Sequence, residues 1–142
     1  MELAIVNTAA DVAASKGAVP IIAHRDRNPT GALPSSINTQ IESSNYVIGI
    51  MTQNGHHIEW VNAEIAYSQK VNKPVFIIAD KGLKVSPQYK VIRIDRTAPL
   101  KTLSTVSIEI QKLIKDKEIK NLIGGLVIGG LIFILLSSLK GE

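Results

Sequence analysis

The chain has 142 residues, a net charge of +4 and no cysteine, so it holds about one compact domain plus an appendage. Without cysteine there are no disulfides, no thiolate zinc sites and no cysteine nucleophile, which fits a reducing compartment. Basic residues are dispersed except over residues 112–120, and no basic groove interleaved with aromatics is visible, so nucleic acid is not an expected partner.

Residues 2–15 are alanine-rich, with Leu3, Val6, Ala10 and Ala13 at helical spacing. They suit one helix. The alternative is a strand over 3–6 followed by a short helix opened by a Thr8–Asp11 capping box. Three β-branched runs follow, at residues 18–23 (AVPIIA), 46–51 (YVIGIM) and 74–79 (PVFIIA), with a weaker one at 90–95 (KVIRID). The second and third are apolar throughout, as strands buried on both faces are. Helical patterns separate them at residues 35–44 and 58–71. A third helix is predicted over 100–120, with Leu103, Val106, Ile110, Leu113 and Ile114 on one face. Alternating strands and helices predict a parallel sheet joined by crossovers. The loops after the first three strands then share the carboxyl edge of the sheet, where open α/β folds bind ligands.

Residues 122–139 read LIGGLVIGGLIFILLSSL, without a charge. That is close to the ~20 apolar residues that cross a bilayer, so one transmembrane helix is expected over 121–139. Lys112, Lys115, Lys117 and Lys120 precede it and only Lys140 follows. The positive-inside rule then makes the protein a single-pass component of the cell membrane with residues 1–120 cytoplasmic. Gly125 and Gly129 form a small-xxx-small pair that would let two such helices associate. The expected organisation is an α/β domain over 1–98, an amphipathic juxtamembrane segment over 99–120 and the span over 121–139.

Among chemical groups, Glu64 stands out. Trp60 lies four residues earlier on the same predicted helix face. A carboxylate beside an indole in a partly dry cleft has its charged form disfavoured, and it can accept sugar hydrogen bonds or act as an acid or base. The plainer alternative is a solvated Glu64 with Trp60 packed on the sheet. His56 and His57 are adjacent and lack an evident third ligand, so no metal site is expected. His24 ends a strand and could touch a ligand. No phosphate-binding glycine loop, dinucleotide fingerprint or nucleophile elbow is present.

In combination these segments resemble the TIR-like (Toll/interleukin-1 receptor homology) family. Residues 41–52 (IESSNYVIGIMT) resemble its third strand with the preceding helix. Residues 55–67 (GHHIEWVNAEIAY) resemble its signature helix, and 72–78 (NKPVFII) its fourth strand. Residues 23–31 (AHRDRNPTG) are similar to the loop after its second strand. The resemblance implies a flavodoxin-like parallel sheet with flanking helices. It also implies NAD as a substrate, cleaved at the nicotinamide–ribose bond in a signalling or defence role. The family's catalytic glutamate falls on Glu64, and Trp60, His24, Arg25 and Asp26 become candidate substrate contacts. No cofactor is expected beyond NAD as substrate. Such sites are typically completed by a neighbouring subunit, so a homo-oligomer is expected. The alternative is a catalytically silent interaction module. The nucleoside deoxyribosyltransferase-like folds share the sugar chemistry with less sequence support. One departure from the family stands out: the chain opens where the family's first helix should begin, so the central first strand is expected to be missing or supplied by another chain.

Overall fold

A computed structural model describes residues 2–22, 35–52, 58–95, 97–115 and 132–137. In chain order the elements are α1 (Glu2–Ser15), β1 (Val19–Ile22), α2 (Ser35–Ser43), β2 (Tyr46–Met51), α3 (Ile58–Lys70), β3 (Val75–Asp80), β4 (Lys90–Ile94), α4 (Pro99–Lys115) and β5 (Ile132–Ser137). The N-terminal segment is thus one helix. It stops at Gly17, whose φ of 86° is left-handed. There Ala18 N–H donates to Ala13 O and Gly17 N–H to Ala14 O, at 3.0 and 3.1 Å. That is the two-bond termination for which glycine is suited. The end of α3 repeats the device with Asn72 at φ 61°: Lys73 N–H donates to Ser68 O at 2.9 Å and Asn72 N–H to Gln69 O at 3.0 Å.

All five strands are parallel, in the order β1-β5-β2-β3-β4. Helices cover both faces. On one side α1 and α4 pack over Ile48, Ile50, Phe76, Ile78, Ile92, Ile94 and Leu135. On the other, α2 and α3 pack over Val47, Met51, Ile77, Ala79, Ile134 and Leu136. Adjacent residues of one strand therefore enter different cores, as the two-residue period of a strand requires. This makes β2 and β3 apolar along their whole length. Helix α4 buries Val106, Ile110, Leu113 and Ile114 of its expected stripe, with Leu103 half-buried, and packs against α1 and β4.

The C-terminal segment departs from expectation. The transmembrane helix expected over 121–139 is not supported, because residues 132–137 form β5 in the interior of the sheet. Val19 to Ile22 pair with Ile132 to Leu135 on one flank, and Tyr46 to Ile50 with Phe133 to Ser137 on the other. Ile134, Leu135 and Leu136 are buried at 0, 1 and 0% exposure, the middle one facing the opposite layer from its neighbours. Among the described residues no helix is long and apolar enough to cross a membrane. An apolar run satisfies a sheet covered on both faces as fully as it satisfies lipid. Here four glycines lie upstream in the same run (Gly124, Gly125, Gly129 and Gly130), each costing a helix about 1 kcal/mol relative to alanine. The pair Gly125 and Gly129 lies outside the described residues. Lys112 and Lys115, read as membrane-flanking cations, sit in the last turn of α4, where they complement the helix dipole. Lys112 also pairs with Glu109 at 3.4 Å.

The same strand answers the missing-strand expectation. A flavodoxin-like sheet has the order 2-1-3-4-5. With β5 in the first-strand position, β1, β2, β3 and β4 take the second to fifth. That first-strand position, between β1 and β2, is filled by this chain's own later residues, and no second chain is needed for it.

Candidate active site

Helix α3 carries the candidate carboxylate. Its buried positions are Val61, Glu64, Ile65 and Ser68, at 0, 0, 3 and 0% exposure. These lie three, four and seven residues apart, so they form one stripe. Val61 and Ile65 belong to the core against β2 and β5, so Glu64 lies on the sheet-facing side of the helix. It is not the solvated surface residue of the plainer reading. A buried carboxylate is costly to the fold and demands compensating polar surroundings.

Two features hold α3 in place. Gly49 in β2 faces the helix: a Cβ there would sit 2.9 Å from Ile65 Cδ1 and 3.5 Å from Val61 Cγ1. Glycine in an otherwise apolar strand thus marks a close approach of helix to sheet. On the outer side, Tyr67 O–H donates to Glu42 Oε1 of α2, tying the two helices of this layer together. That bond, partial desolvation and the Glu42 charge hold the Tyr67 phenol above its usual pKa. Ser68 donates to the Glu64 carbonyl at 2.8 Å, satisfying a buried hydroxyl within the helix. Tyr89 O–H reaches Gln69 Oε1 at 2.9 Å and joins the segment after β3 to the end of α3.

Of the remaining sequence candidates, Trp60 is in α3 one turn before Glu64, and its side chain lies outside what is described. His24, Arg25 and Asp26 lie outside the described residues, as do His56 and His57. Among the described residues no group of His, Asp and Glu side chains could hold a metal ion. The structure places Glu64 on the buried stripe of α3, and the loop candidates lie outside the described residues. Sequence reasoning missed Gly49, whose signal was a single glycine inside YVIGIM.

No curated protein and no solved structure matches the chain. The family model of the Thoeris protein ThsB, TIR-like domain, matches residues 4–85, which run from α1 through β3 and include Trp60 and Glu64. Its match spans more than half of the 142 residues, and the helix-flanked parallel sheet agrees with it. The chain belongs to the ThsB TIR-like domain family.

Proposed function

We propose that this TIR-like domain cleaves NAD at the bond between nicotinamide and ribose, with Glu64 as the catalytic carboxylate. Membership of the family suggests a signalling or defence role. The observation that supports the finer reading is the setting of Glu64: a carboxylate wholly withdrawn from solvent on the inner stripe of α3. In this reading nicotinamide departs as the leaving group and the ribose carbon takes on oxocarbenium character. The carboxylate of Glu64, in its ionised form, stabilises that centre and orients the ribose hydroxyls, water adds to the same carbon with loss of a proton, and ADP-ribose results. Low dielectric around the carboxylate strengthens the interaction. Trp60, His24, Arg25 and Asp26 are proposed as substrate contacts around it, and self-association is proposed to raise activity.

The test is nicotinamide release from NAD by the purified full chain over a range of protein densities. Turnover that disappears in Glu64→Gln, with an unchanged circular dichroism spectrum, supports the proposal. The second reading is a silent interaction module, in which Glu64 stays enclosed and meets no substrate. Absence of turnover at every density, with self-association intact, decides for the module.

A further inference from the structure

At the carboxyl edge of the sheet, the ends of β3 and β4 and the first turns of α4 line an open cavity of about 420 Å³. Among the described residues its charged lining is Lys81, Arg93 and Lys101 against a single carboxylate, Asp95. Three separate elements deliver these cations to one place, which is unlike a solvated charge run along one helix. Two of the groups are pre-set. Arg93 Nη1 donates to the carbonyls of Asp80, at 3.1 Å, and Leu83, so the guanidinium is anchored. Asp95 Oδ1 accepts from Thr97 N–H at 2.9 Å and from Thr97 O–H at 2.6 Å. Both bonds fall on Oδ1, so Oδ2 is the oxygen left to accept from a ligand. Thr102, on the cavity wall, locks the loop to α4: its hydroxyl donates to Asp95 O at 2.6 Å and accepts from Asp95 N–H at 3.3 Å.

The opening of α4 brings the positive end of its dipole to the same wall, which favours an anion. The volume lies within the range of small-molecule sites, ~300–1,000 Å³. Three cations grouped around a fixed carboxylate match a ligand that carries both a phosphate and hydroxyl groups. Asp95 is held below the usual carboxylate range by its bonds from Thr97, with Lys81 and Lys101 adding to the effect, which agrees with a compact cluster of charges.

We propose that this cavity binds a phosphorylated sugar of mononucleotide size, its phosphate held by Lys81, Arg93 and Lys101 and a sugar hydroxyl by Asp95. The site is distinct from that of Glu64, which is not among its lining residues, and does not depend on the NAD reading.

The test is calorimetric titration of the full chain with inorganic phosphate, ribose 5-phosphate and adenosine monophosphate. Saturable binding of the two sugar phosphates, tighter than inorganic phosphate, is expected. Lys81→Ala combined with Lys101→Ala should weaken them by at least about tenfold. Asp95→Asn should erase the advantage of ribose 5-phosphate over inorganic phosphate. Glu64→Gln should bind as the parent does, whether or not NAD is cleaved. Lack of saturable binding up to millimolar ligand overturns the proposal. So does equal affinity for phosphate and ribose 5-phosphate, or binding indifferent to the double lysine variant in a protein that melts like the parent.

Discussion

Shortening the side chains of β5 separates a sheet core from a lipid-facing surface. Ile134, Leu135 and Leu136 are all buried, the outer two against the α2/α3 layer and the middle one against the α1/α4 layer. Truncating one such residue to alanine removes its transfer free energy and leaves a cavity that the packed layers fill only in part. The cost is about 2–5 kcal/mol per site. Taking ~3 kcal/mol at each, Leu135→Ala and Leu136→Ala should separately lower the melting temperature by roughly 10 °C, at a few degrees per kcal/mol. Because the two side chains enter different cores, their effects should nearly add. The double variant then loses ~6 kcal/mol, comparable to the whole stability of many domains. Urea unfolding followed by far-ultraviolet circular dichroism reads these values directly. The key feature is parity: neighbouring positions should cost alike, since both faces of the strand are covered. Losses under ~0.5 kcal/mol at all three sites, the size of ordinary surface substitutions, would refute the placement of β5.

Other substitutions probe the remaining features. Gly49→Ala should cost about 1 kcal/mol in urea unfolding, since the new Cβ meets the flexible end of Ile65; Gly49→Val should cost ~1–3 kcal/mol through overpacking. Asn72→Gly should leave stability equal or slightly raised, whereas Asn72→Val should lower it by about 1–2 kcal/mol at this left-handed position, as thermal melts would show. The depressed pKa of Asp95 makes a folded-state contribution that is complete above the unfolded value, about 3.9, and is lost as pH falls through the folded value. The stability difference between parent and Asp95→Asn should therefore be flat above about pH 4 and shrink below it.

Much of the architecture was legible because the cores are periodic. The runs at 46–51 and 74–79 announce strands covered on both faces, and the stripe of α4 announces a helix with one buried side. Hydropathy alone could not separate β5 from a membrane span, because a doubly covered strand and a lipid-embedded helix both require uninterrupted apolar residues. Only pairing partners distinguish them, and those lie far away in sequence. The carboxylate of Glu64 was legible as chemistry, but its depth was not. Its spacing to Val61 and Ser68 carried that information, while attention to Trp60 pointed to a cleft. The cavity lined by Lys81, Arg93 and Lys101 was invisible, since these residues belong to different elements and make no local motif.

The late position of β5 in the chain bears on how the domain is assembled. Val19 pairs with Ile132, a separation of 132 − 19 = 113 residues, and Tyr46 with Phe133, 133 − 46 = 87 residues. Such distant closures slow folding, because the entropy of bringing the ends together is spent before the contacts form. During synthesis β1 and β2 emerge well before the strand that joins them, and each then presents an unpaired edge. The nascent chain thus carries a strand-shaped vacancy between β1 and β2, one that another extended segment could occupy first. Delivery of residues 132–137 closes both edges at once.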